Sequence, residues 1–127
     1  MQGQKQILVV DNNNARRDQI GTVLGFVGEH FHMCAEDQMI RQLSEIPNLL
    51  TVIVTGRLSQ AMVSMIKNNP SCPFILHDVL DQLPAQGLVN VIGELRVPLN
   101  YAQLTELIHH SHQYHNNLPV KRSNNKG

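Results

Sequence analysis

Side chains able to do chemistry gather at a few points in this sequence, each directly behind an apolar run. Asp11 and Asn12 follow residues 7–10, Thr55, Gly56 and Arg57 follow 49–54, and His77 and Asp78 follow 73–76. A carboxylate at such a point can hold Mg²⁺, but a lone one does so poorly, because the ion keeps most of its waters. Between positions 46 and 77 there is no Asp or Glu at all, so this stretch offers no carboxylate nucleophile. A second concentration is His109, His110, His112 and His115. His109 and His112 are one helical turn apart and can supply two ligands to Zn²⁺ or Ni²⁺. No Cys or acid within the stretch completes a closed site, so a solvated polar face is expected, with adventitious metal affinity as the alternative. Cys34 and Cys72 lie in or beside apolar runs without CxxC spacing, as buried free thiols do.

The periodicity that must position these groups switches repeatedly between strand and helix. Residues 7–10 are a continuous β-branched-rich run, expected of a strand covered on both faces. Asn12, Asn13 and Asn14 supply helix-capping side chains; Ile20, Val23, Leu24 and Val27 follow at helical spacing, and Gly28 is a stop. A looser alternation over 29–35 predicts a strand nearer an edge, with His30 and His32 on its solvent side. Met39, Ile40, Leu43 and Ile46 form a second helical stripe. Residues 49–54 are the strongest buried-strand signal, followed by a helix capped by Ser59 whose Met62, Met65 and Ile66 face the core. Residues 73–76 predict a fourth strand. Pro84 and Gly87 interrupt any fourth helix, so that helix is weak. A fifth strand is expected over 93–97, though periodicity lets it begin as early as Leu88, and Asn100 caps a last helix. Five strand-then-helix units imply a doubly wound parallel α/β sheet with helices on both faces, chemistry gathering at the carboxyl ends of the strands.

Composition bounds the rest. The 127 residues fit one domain, expected over 1–116, with 117–127 a polar linker or tail. Ten basic and ten acidic residues cancel, which argues against a general electrostatic grip on nucleic acid or on an anionic membrane. No apolar run reaches the length of a membrane span, and a cytoplasmic location is expected.

The four strand ends, with Arg16 and Arg17 behind Asp11 and the 97–99 turn, resemble the layout of response-regulator receiver domains, over about residues 5–115. The resemblance implies the CheY-like (flavodoxin-like) fold. Receivers carry an acidic pair, a phosphoacceptor Asp, a Ser or Thr, and a Lys at these points, and the metal, hydroxyl and Lys neutralise the transferred phosphoryl group. Here Asn12 replaces the second acid and leaves Asp11 alone. Thr55 or Gly56, depending on a one-residue offset, stands at the phosphoacceptor position, and Asp78 stands at the hydroxyl position. Val97 replaces the Lys and Glu94 the aromatic switch. The expectation is a non-enzymatic domain with a vestigial acidic pocket of Asp11, Asn12 and Asp78 and neither metal nor cofactor. One way to fill that pocket is Arg57, whose guanidinium would bond both carboxylates; the alternative is Arg57 in solvent.

Residues 24–29 (Leu-Gly-Phe-Val-Gly-Glu) and 97–104 (Val-Pro-Leu-Asn-Tyr-Ala-Gln-Leu) are similar to the amino-terminal domain of the FleQ/FlrA-type master activators of polar flagellar genes, within the σ54-dependent class. In that family the domain precedes an AAA+ ATPase and a helix-turn-helix DNA-binding domain. The chain has neither a Walker motif nor a convincing recognition helix, so ATP, cyclic di-GMP and DNA binding would belong to those other parts. The resemblance implies a regulatory domain acting as a homodimer and by contact with the ATPase domain, with Tyr101, Leu104 and Leu107 as candidate interface neighbours. A free-standing adaptor and a functioning phospho-receiver or metal-binding domain are the alternatives.

Overall fold

Where branched aliphatic side chains run without interruption, the chain is extended and covered on both faces. In the computed structural model, which describes residues 5–56, 58–79, 87–96 and 99–117, two such runs form β1 (Gln6–Val10) and β3 (Leu49–Thr55). Their neighbours are β2 (His30–Cys34), β4 (Phe74–His77) and β5 (Val91–Leu95). All pairings are parallel, in the order β2-β1-β3-β4-β5, so the two strongest runs sit inside the sheet. β2 is an edge strand, and its exposed His30 and His32 face solvent as expected. The fifth strand begins two residues earlier than the 93–97 expectation and ends at Leu95, within the range that periodicity allowed.

Alternate side chains of each strand enter separate cores, as the two-residue strand period requires. On one face Leu8, Val10, Val52, Val54, Phe74 and Leu76 pack with Met39, Met62 and Ile66, from α2 (Met39–Glu45) and α3 (Gln60–Lys67). On the other, Ile7, Val9, Ile53, Ile75 and Leu95 meet Ile20 and Leu24 of α1 (Asn14–Phe26) and Leu104, Leu107 and Ile108 of α4 (Tyr101–Asn116). Each aliphatic side chain so buried contributes about 1.5–3 kcal/mol. α4 comes close to β5 because position 93 is glycine: a Cβ there would run into the Leu107 side chain.

The helix starts are set by side-chain caps. Asn13, Ser59 and Asn100 accept the N–H groups of Arg16, Met62 and Gln103, satisfying donors the first turn leaves unpaired. At the far end of α4 the Tyr114 hydroxyl donates to the Pro70 carbonyl at 2.6 Å, and His115 Nε2 donates to the Leu50 carbonyl at 2.7 Å. The start of β5 is tied in by Asn90, 2% exposed, whose Nδ2 donates to the carbonyls of Ile66, Asn69 and Cys72. The expected weak fourth helix falls largely on 80–86, outside the described residues; residues 78–79 and 87–90 beside it are not helical. The tail over 118–127 also lies outside them. Cys34 is buried and Cys72 half-buried, and both thiols are free.

Two candidate interface residues need correction. Leu104 is fully buried and Leu107 is 7% exposed; the helical stripe that carries them is the core face of α4 and presents nothing to a partner. Tyr101 is exposed, and its ring stacks on that of Phe26 with centroids 5.5 Å apart.

Candidate functional site

The carboxyl ends of β1, β3 and β4 bring Asp11, Thr55 and Asp78 into one region, as their strand-end positions predicted. Asp11 is 2% exposed, and a carboxylate withdrawn from water to that degree needs donors. It has four. Oδ1 accepts from Arg16 Nη2 at 2.8 Å and from the Asn13 backbone N–H at 2.8 Å. Oδ2 accepts from Arg16 Nε at 2.5 Å and from the Thr55 hydroxyl. A carboxylate offers about four lone-pair sites, so none is left for a metal ion. Arg16 Nε also lies 3.2 Å from Thr55 Oγ1, and Arg17 Nη1 donates to the Asp11 backbone carbonyl at 3.0 Å.

The cation that pairs with Asp11 is Arg16; Arg57, the cation expected from the sequence, lies outside the described residues. Sequence reasoning missed Arg16 although a signal was present. Arg16 is the third residue of a helix capped by Asn13, and helical side chains lean toward the helix N-terminus, which here means toward Asp11. A cation in the first turn also opposes the helix dipole, a misplacement that makes sense only with a carboxylate at hand.

Of the two residues at the phosphoacceptor position, Thr55 is the one whose side chain enters the pocket. Gly56 turns the chain beneath the guanidinium with φ +93°, and a Cβ there would collide with Arg16 Nη2. Asn12 lines the same small cavity as Asp11 but is bonded elsewhere: its Oδ1 accepts the Glu36 N–H at 2.8 Å, and Glu36 in turn accepts from the Ser59 hydroxyl at 2.8 Å. Asp78 sits at φ +53°, and its charge acts on Arg16. Glu94 faces Arg96 at 3.4 Å, an ion pair too exposed to contribute much. Val97 lies outside the described residues. Beside Asp11, Arg16 and Thr55 remains a cavity of only about 150 Å³.

Burial alone would raise the Asp11 pKa, but hydrogen bonds from Arg16, Thr55 and Asn13 and the Arg16 charge outweigh it, and the group is held below its ordinary value. The same pair raises Arg16. His77, 4% exposed, moves the other way: burial depresses it, the Asp78 charge pulls up, Arg16 pushes down and Asp11 pulls up. Burial likewise depresses His115, against the opposing hydrogen bond to the Leu50 carbonyl.

These directions fix a pH dependence. An unfolded histidine takes its proton near the ordinary value of 6.5, whereas His77 and His115 resist it in the folded state. The unfolded chain thus binds more protons in that window, and stability falls as pH drops through it. Asp11 is ionised in both states there; its contribution is present above the ordinary carboxylate pKa and is lost only as pH falls through the lower, folded one. Urea midpoints are expected to decline from pH 7.5 to 5.5, with the decline reduced in His77→Gln; a flat profile in the wild-type chain would contradict the assignment.

Among the described residues no group of three or more His, Cys, Asp or Glu side chains is placed to hold a metal. His109, His110 and His112 are exposed, while His115 is committed to the Leu50 carbonyl. No helix among the described residues is long and apolar enough to cross a membrane.

Comparison with known proteins agrees with this fold. The profile of a family described as flagellar regulatory protein FleQ matches residues 6–113. No curated protein matches the chain. Among solved structures, the signal receiver domain of an HD domain-containing protein from Pseudomonas fluorescens Pf-5 is similar, with TM-score 0.75 and 18% identity over 91% of this chain and 100% of that one. A response regulator receiver domain protein from Clostridium thermocellum gives 0.70 and 19%, over 85% and 94% of the two chains. NtrX from Brucella abortus gives 0.70 and 16%, over 95% of this chain and 29% of that one. At such identities these structures establish the receiver fold alone.

Proposed function

The chain belongs to the FleQ family of flagellar regulatory proteins, and from that premise we propose that it is a non-phosphorylatable receiver-like regulatory domain. In this reading it serves a σ54-dependent activator of flagellar genes, acting through self-association and through contacts with an ATPase domain of the same polypeptide rather than through catalysis. The observation that carries the first part is the saturation of Asp11 by four protein donors. Phosphoryl transfer to a receiver needs a carboxylate nucleophile and a Mg²⁺ that shares its charge. Here Thr55 stands in the nucleophile's place, and the Arg16 guanidinium takes the only deeply buried carboxylate among the described residues.

A domain without that chemistry signals by which surfaces are occupied, a shift in population between assemblies. The reading also places the domain in the cytoplasm, with DNA and nucleotide contacts left to other domains.

Acetyl phosphate or beryllofluoride with Mg²⁺ is expected to leave mass, amide spectrum and sedimentation coefficient unchanged. A stoichiometric mass gain or a Mg²⁺-dependent spectral change would overturn the reading. Sedimentation over a concentration series tests self-association separately: a species that stays monomeric at high concentration removes that half of the proposal.

A further inference from the structure

Residues 19–28 and 99–105 contain no Lys, Arg, Asp or Glu, in a chain where charged side chains make up 16%. The first run is the second half of α1 and the turn after it; the second is the entry and first turn of α4. Both helices lie on the same face of the sheet, and their charge-free stretches meet through Phe26 and Tyr101. The two rings are 5.5 Å apart, tilted by 42°. They shelter each other only in part, since Phe26 is 75% exposed and Tyr101 49%. One helical turn from Phe26 and two residues before Tyr101, Val23 and Leu99 wall a hollow of about 470 Å³ together with Ile20. Gln19 and Thr22 on α1 and Thr105 on α4 stand at helical spacing from the rings, exposed and uncharged.

Exposed aromatic rings on an uncharged surface have the composition of the core of a protein interface, because charge is costly to withdraw from water and an aromatic ring buries a large area. Nucleic acid and anionic lipid need free cations instead. The nearest ones, Arg16 and Arg17, are held by the Asp11 carboxylate and carbonyl. A protein partner must offer a hollow for the paired rings and a knob for the hollow beside them. The same surface of a second copy offers both, which is the condition for a two-fold interface, and two faces without charge do not repel. Resting on the self-association of the preceding reading, we propose that two copies of this chain associate through the α1–α4 face, with Phe26 and Tyr101 as knob and the hollow of Ile20, Val23 and Leu99 as socket. Counted on both copies, the exposed parts of the four rings supply roughly 400–600 Å² of the about 1,200 Å² that the smaller specific interfaces bury. The uncharged residues around them supply the rest, so the dimer is a reversible one that dissociates on dilution.

Sedimentation velocity from micromolar to millimolar concentration, paired with ¹H–¹⁵N spectra over the same dilution, reads both the assembly and its surface. The wild-type chain is expected to pass from monomer to dimer, with amide shifts centred on Gln19, Thr22, Val23, Phe26, Tyr101 and Thr105. Phe26→Lys, at a position open enough for the fold to be kept, should weaken the dimer about a hundredfold, since the two-fold counts each lost ring twice. Ile40→Lys, 70% exposed on α2 across the sheet, should leave it unchanged. A Phe26→Lys chain that associates as the wild type does, equal weakening by Ile40→Lys, or shifts centred on another surface would each overturn the assignment and leave self-association standing. A wild-type chain that is monomeric throughout would overturn both.

Discussion

Arg16→Ala is expected to lower the stability of the domain by about 2–3 kcal/mol. Removing one partner from a fully buried ion pair costs roughly 3–5 kcal/mol, because the other charge is left without compensation. The Arg16 side chain is 30% exposed, so solvent already screens part of the interaction and the lower figure applies. The loss should be seen as a fall in urea midpoint at pH 7 with little change in slope. Arg16→Lys should recover only part of it, since an ammonium cannot span Oδ1 and Oδ2 as the guanidinium does. The same substitution frees two acceptor sites on Asp11, and the Arg16→Ala chain should be stabilised by millimolar Mg²⁺ where the parent is indifferent. If Arg16→Ala keeps full stability and stays indifferent to Mg²⁺, the guanidinium is not the group that neutralises the pocket.

A second large effect is expected 24 positions along the chain from Ile66, at Asn90. Its Nδ2 serves the carbonyls of Ile66, Asn69 and Cys72 at 2.9, 3.0 and 3.2 Å. That single amide thus joins the end of α3, the connection to β4 and the start of β5. Asn90→Ala strips these buried acceptors of a donor at about 1–3 kcal/mol per group left unsatisfied. Because the Ile66 and Asn69 carbonyls keep a backbone N–H partner each, a total of about 2–4 kcal/mol follows. Asn90→Asp is the sharper test. At pH 7 it sets a carboxylate against carbonyl oxygens, and it should be worse than alanine; on acidification it regains a donor, so its deficit relative to wild type should shrink. Thermal unfolding of the three chains at pH 7 and pH 5 measures both, and equal stability of Asn90→Asp and wild type at pH 7 would show that the amide hydrogens do not make these bonds.

The sheet could be read from the chain where burial on both faces demands unbroken branched side chains, as in β1 and β3. β5 was harder to place, because four of its five residues are only half-buried and its start is fixed by the Asn90 side chain, a contact across the fold that no local period reveals. The last helix shows a different limit. Its apolar stripe was visible, but the stripe alone does not say whether Leu104 and Leu107 face the sheet or a partner; packing on Gly93 and Leu95 decides for the sheet. At the site, the missing carboxylate was plain from the stretch between positions 46 and 77. The identity of the neutralising cation was not. In sequence Arg57 directly follows an apolar run, whereas Arg16 falls inside a helical stretch; only its place in the first turn, pointing back at Asp11, carries the information.

Gly56 ties this arrangement to a second position. The guanidinium of Arg16 lies where a Cβ on residue 56 would be, so the two positions are coupled: with Arg16 in place, residue 56 is confined to glycine. Placing a carboxylate at position 55 by one mutation is not expected to create a Mg²⁺ site. It would set a second anion beside a guanidinium already seated between the strands, and tighten the ion pair instead of admitting Mg²⁺. Building a Mg²⁺ site with a carboxylate nucleophile here needs Arg16, Asn12 and Thr55 to change together, and the first of those steps alone carries a stability penalty. The substitutions at these positions are therefore expected to be non-additive, because they share one guanidinium.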